Sequence, residues 1–182
     1  MAYSNQHRKR GGSSWSMPAS FRAYNRSLNV QDSDAAEAFR LNQIAADDGM
    51  HDAVLAMGWF YRNGIGVPQD NEQALIWWKK SARQGEPKAM FSLGQMAFEE
   101  KDYTDALAWF TRASEHSHSR SLYWIGKLHW RGHGVPKDRK LAMHFFSQAA
   151  AKKQLEAQRA IRFLSYCQNR RPSQLSKTMA KY

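Results

Sequence analysis

The sequence predicts an all-α fold, a right-handed α/α superhelical solenoid of helix-turn-helix repeats. Three observations carry that reading. From Asp34 onward apolar residues recur at helical spacing, and the strict alternation of a strand is nowhere sustained. The phrase "NGIGVPQD", starting at Asn63, returns sixty-eight residues later as "RGHGVPKD", starting at Arg131. Around these phrases Gly58, Gly94 and Gly126 fall into register, as do Ala74, Ala106 and Ala142, and then Trp78, Phe110 and Phe146. A period of this size marks units that bury their apolar faces only by stacking on one another.

The elements follow in order. Residues 1–30 are rich in Ser, Asn, Arg and Gly, with Pro18 as a breaker, and read as a basic, disordered N-terminal arm. The repeat region is expected over 31–167. Asp34 is placed to cap a helix that Gly49 ends, which gives a half-repeat over 34–49. Three full repeats follow, over 51–85, 86–117 and 118–153. In the first, one helix runs from near Asp52 to Asn63 and the next from Asn71 to Gln84, stopped by Gly85. Pro87 sits in a first helical turn, where its missing N–H does no harm. The middle repeat lacks the glycine phrase, has "EEKDYTD" instead, and is four residues shorter between its Gly and its Ala. The offset of sixty-eight is therefore one period of thirty-six plus one of thirty-two. A capping helix is expected over 154–167, then a basic tail over 168–182.

The repeated glycine phrase has two readings. A phosphate loop follows a strand and carries a Lys-Ser/Thr pair. Here a helix precedes and no such pair follows. As a hinge, Gly64 and Gly132 end the first helix, Gly66 and Gly134 let the chain turn, Pro68 and Pro136 stiffen it, and Asp70 and Asp138 stand where a carboxylate accepts N–H bonds from the next helix. The hinge reading is adopted, with no cofactor.

The pattern Ala-x-x-x-x-Gly-x-x-Tyr, Gly-x-Gly-Val-x-x-Asp, then Ala-x-x-Trp-x-x-x-Ala and Gly resembles the Sel-one-like repeat, a relative of the tetratricopeptide repeat, across roughly residues 34–166. The resemblance implies a helical scaffold for protein complexes whose first helices line a concave groove. It places Leu55, Trp59, Arg62 and Asn63 there, then Lys88, Phe91, Gln95 and Phe98, then Arg120, Tyr123, Lys127, Trp130 and Arg131. That strip mixes aromatics, amides and cations and grows more basic toward its C-terminal end. A protein or peptide carrying carboxylates would suit it.

Charge and chemistry narrow the classes. The chain has 27 basic and 16 acidic side chains, a net charge of +11. Residues 1–30 carry five cations and 159–182 six, neither with an acid, so all the excess lies at the ends. Between them, 31–105 holds seven cations against thirteen acids, and 106–158 nine against three. The basic arms raise an alternative, attachment to nucleic acid or another anionic surface through counterion release, though no nucleic-acid module accompanies them. His116, His118, His129 and His133 lack acidic or Cys partners at ligand spacing and read as surface histidines rather than a metal site. No nucleophile-base arrangement or paired carboxylates in apolar surroundings is present, so no catalytic residue is expected. The single cysteine, Cys167, excludes an internal disulfide and suits a reducing compartment. No run approaches the ~20 apolar residues of a membrane helix. A monomeric cytoplasmic adaptor is the expectation.

Overall fold

The computed structural model describes residues 18–31 and 33–169, and all of the regular structure among them is helical. The helices are α1 (Ala19–Val30), α2 (Ala35–Asp47), α3 (His51–Asn63), α4 (Asn71–Arg83), α5 (Pro87–Glu99), α6 (Tyr103–Glu115), α7 (Ser119–Arg131), α8 (Arg139–Ala151) and α9 (Leu155–Asn169). They pair as hairpins α1–α2, α3–α4, α5–α6 and α7–α8. Each hairpin packs on the next, and α9 packs on α8. The second helix of every hairpin starts at an aspartate. Asp34, Asp70, Asp102 and Asp138 accept from the backbone N–H groups of Glu37, Gln73, Asp105 and Leu141 at 2.9–3.0 Å. Each cap satisfies one of the donors that a helix start leaves open.

The turns between hairpins also repeat. The backbone N–H groups of Met50, Glu86, His118 and Gln154 reach back to the carbonyls of Ala45, Ser81, Ala113 and Ala149. This is a Schellman closure, which takes one residue into the left-handed region. That residue is Gly49, Gly85, Ser117 or Lys153.

Within the hairpins the interior is set by one contact made three times. A Cβ on Gly58 would lie 2.3 Å from the Trp78 ring, one on Gly94 2.6 Å from Phe110, and one on Gly126 2.7 Å from Phe146. The ring of each second helix thus lies against bare backbone of the first, and all three rings are buried. At the corresponding place in α9 stands the exposed Arg162.

Residues 19–30, expected in the disordered arm, instead form α1 and complete the N-terminal hairpin whose second half is α2. Local sequence gives that helix little: it starts at Pro18 with no side-chain cap. Packing supplies the rest. Tyr24 lies against the cluster of Ala45, Ala46, Ala53, Val54 and Met57, Ser27 is buried, and Arg26 reaches Glu37 at 3.7 Å. Residues 1–17 of the expected arm, and 170–182 of the expected tail, lie outside the described residues.

Candidate functional site

The first helices of the repeats, α3, α5 and α7, share a register. Counting from Ala53, Ala89 and Ser121, all fully buried, the second, sixth and ninth residues onward are Leu55, Trp59 and Arg62; Phe91, Gln95 and Phe98; and Tyr123, Lys127 and Trp130. Side chains of this strip touch from one repeat to the next. The Arg62 guanidinium on α3 pairs with the Glu99 carboxylate at the end of α5, and it also donates to Asn71 Oδ1 at 2.9 Å. Phe98 on α5 meets the Trp124 ring on α7 edge-on, with centroids 4.8 Å apart. The Lys127 ammonium stands 4.2 Å from the Trp124 ring centroid and 5.4 Å from that of Phe98. Arg120 lies over Phe91 at 5.9 Å.

The thirteen residues assigned to the groove thus divide. Leu55 is partly buried against the main core, and Phe91 is buried outright. Arg62 serves the α3–α4–α5 junction, and Asn63 donates to the Trp59 carbonyl at 2.9 Å. Trp59 leaves 43% of its surface exposed. Lys88 and Arg120 are exposed, while Gln95 and Phe98 are half-buried. Tyr123, Lys127, Trp130 and Arg131 come together in a cleft of about 560 Å³ where α7 and α8 meet α9. Phe146, Phe163 and Leu164 add apolar surface to it, and Glu156 and Arg159 add charge.

The sequence assigns α9 only the role of a capping helix, so its lining residues are absent from the expected groove. The register nonetheless continues through that helix. From Ala157, also fully buried, the second, sixth and ninth residues are Arg159, Phe163 and Tyr166, the counterparts of Leu55, Trp59 and Arg62.

Burial and like charge set the electrostatics. Burial first, then Arg131, holds the Lys127 pKa below the ordinary lysine value. Burial first and the Glu156 carboxylate next raise that of Tyr123, with Arg131 opposing. Of the four histidines read as surface residues His116 is exposed, whereas His118, His129 and His133 are half-buried. His118 lies 4.6 Å from the Phe91 ring and pairs with Ser121 Oγ at 2.9 Å; burial, then Arg120 and Lys88, lower its pKa. His133 stacks on Tyr103 at 4.3 Å, and burial, then Arg131 and Lys127, lower its pKa too. Among the described residues no three His, Cys, Asp or Glu side chains gather as metal ligands, and no helix is long and apolar enough to cross a membrane.

In the loops, Gly64 and Gly132 end α3 and α7 in the left-handed conformation. The N–H of Asp70 returns to the Tyr61 carbonyl, and that of Asp138 to the His129 carbonyl. Pro68 and Pro136 lie exposed in the extended links between. Gly66 and Gly134 are points of close approach to the preceding hairpin. A Cβ on Gly66 would lie 2.0 Å from the Ala35 carbonyl oxygen, and one on Gly134 2.8 Å from Tyr103.

Comparison with known proteins matches the Sel1 repeat to residues 51–86, 87–118 and 119–153. Over 101 residues, 52% of this chain and 7% of the relative, the sequence is 29% identical to the chitin synthase regulator SKT5 of Malassezia restricta. Over 103 residues, 56% of this chain and 17% of the relative, it is 28% identical to the ERAD-associated E3 ubiquitin-protein ligase component HRD3B of Arabidopsis thaliana. The match spans only a small part of either relative's length. Among solved structures, the Sel1 repeat protein from Oxalobacter formigenes superposes with a TM-score of 0.73 at 29% identity, over 76% of this chain and 60% of that one.

Proposed function

Because this chain belongs to the Sel1 repeat family, whose three matched copies fill residues 51–153, we propose that it is a non-enzymatic adaptor holding a protein or peptide along the strip of α3, α5, α7 and α9. One observation carries the reading. Equivalent positions on successive helices present exposed or half-exposed Trp59, Gln95, Lys127 and Phe163, and Lys127 reaches across to Phe98 of the preceding repeat. Aromatic surface with cations beside it is the composition of a binding hot spot. Two relatives carry names that fit such a role, a chitin synthase regulator and an E3 ubiquitin-protein ligase component.

The favoured partner surface is acidic. Lys88, Arg120, Lys127 and Arg159 add positive charge along the strip, while the Glu99 carboxylate beside it is already held by Arg62. The proposed working form is a monomer in a reducing cytoplasm, in keeping with the single cysteine.

A pull-down from cell extract tests the reading, with wild type set against a Trp59→Ala, Lys127→Glu double variant. Recovery of a specific partner should fall about tenfold or more, as for loss of an anchor and a charge. Equal recovery from both proteins would overturn the groove. Turnover of a substrate that one polar substitution abolishes would overturn the non-enzymatic part.

A further inference from the structure

Resting on the groove reading above, we infer that the cleft between α7 and α9 is the anchor pocket of the strip, and that it takes one aromatic or large aliphatic side chain of a partner peptide with an Asp or Glu beside it. The cleft has the size and make-up of a ligand site, about 560 Å³ lined by four aromatic rings, Ala160 and Leu164 together with four charged side chains. Tyr123 and Phe146 pack with centroids 5.7 Å apart, and Trp130 and Phe163 line the same space. An apolar side chain entering here would leave water for aromatic surface contributed by three helices.

The charges specify what stands next to that side chain. Lys127 and Arg159 both line the cleft, and among the described residues neither is paired with a carboxylate. Lys127 is held against the faces of Trp124 and Phe98 instead. Partial burial there disfavours its charged form, so an incoming carboxylate would meet a half-buried cation. Glu156, the one acid lining the cleft, accepts from the Gln154 side chain. A carboxylate beside the apolar side chain complements the Lys127 and Arg159 charges, so the favoured occupant is a partner peptide that carries one.

A random nonapeptide library displayed on phage and selected on the full chain tests this. Enriched peptides should share an aromatic or large aliphatic residue adjacent to an acid. A fluorescein-labelled copy of the most enriched peptide, followed by anisotropy, should bind about tenfold or more weakly to Arg159→Glu and to Ala160→Trp, which reverses one charge and fills the cleft respectively. Circular dichroism confirms that both variants keep the helical fold. Binding should also weaken as salt rises from about 50 to 500 mM. Peptides that enrich but lack the acid, or that bind both variants like wild type, would overturn the pocket and leave the groove standing. A library that yields no enriched peptide would overturn both.

Discussion

The outer two of the three matched repeats and the middle one solve the same problem differently. In α3–α4 and α7–α8 the connection between helices is long. Its second glycine reaches the start of the preceding hairpin's second helix, Gly66 at Ala35 and Gly134 at Tyr103. In α5–α6 the connection is only residues 100–102, and the left-handed residue is Lys101. At the start of α4, the equivalent place in the middle repeat, Asn71 is bound instead by Arg62, which also pairs with Glu99. A backbone contact made twice is replaced by side-chain contacts. The ring-on-glycine packing inside the hairpin, by contrast, is kept in all three. Each hairpin therefore rests on its interior contact, while the loop contact between hairpins can be exchanged.

Substitutions can break or sharpen that contrast, and chemical denaturation reads each. The largest loss is expected for Gly66→Ala, where a Cβ would meet backbone at 2.0 Å and the φ of +68° is unfavourable for alanine. A loss of about 2–4 kcal/mol follows from overpacking plus backbone strain. Gly94→Ala drives a methyl into the Phe110 ring at 2.6 Å but gains helix propensity, for a net loss of about 1–2 kcal/mol. Lys101→Gly should do the opposite and stabilise by about 1 kcal/mol, because glycine takes the left-handed φ of 65° without the Cβ clash that the exposed lysine meets there. If it destabilises, the short loop is more than a shortened linker. Arg62→Ala should cost less than about 1 kcal/mol, since Glu99 is more than half exposed. A loss near that of Gly66→Ala would mean that the ion pair substitutes fully for the glycine contact.

The smallest effect is a pH slope. His118 and His133 have folded pKa values below the ordinary 6.5, so the unfolded chain binds their protons more readily. Their contribution is intact above that value and is lost as pH falls through the interval beneath it. Melting temperature should therefore decline below about pH 6.5, and His118→Phe should flatten the decline. A melting temperature unchanged between pH 7.5 and 5 would contradict the packing of these rings.

How much the sequence could reveal followed from where the physics was local. The aspartate caps, the left-handed glycines and the glycine–ring register each depend on a few neighbouring residues, and Asp70, Gly64 and the Gly58–Trp78 pair are readable in that way. Helix α1 was not, because Tyr24 is fixed by packing on residues from Ala45 to Met57 rather than by propensity or a cap. The cleft was half legible. Tyr123, Lys127 and Trp130 follow from the repeat register, whereas Arg159 and Phe163 require that register to be carried into α9. Phe91 shows the limit of the helical wheel: a position facing the neighbouring repeat is buried when His118 and Arg120 cover it.

Each helix packs chiefly on the helices next to it in the chain, so nearly every tertiary contact closes a short stretch of polypeptide. Assembly can then proceed as a zipper, hairpin by hairpin, with little entropy spent on closing long loops. Amide deuterium uptake should accordingly be graded, slowest in α5 and α6 and fastest in α1 and α9, each of which packs chiefly on one helix among the described residues. An anchor pocket built partly from α9 sits at one of the two ends expected to open first, and occupancy there would act as a clasp on the last hairpin.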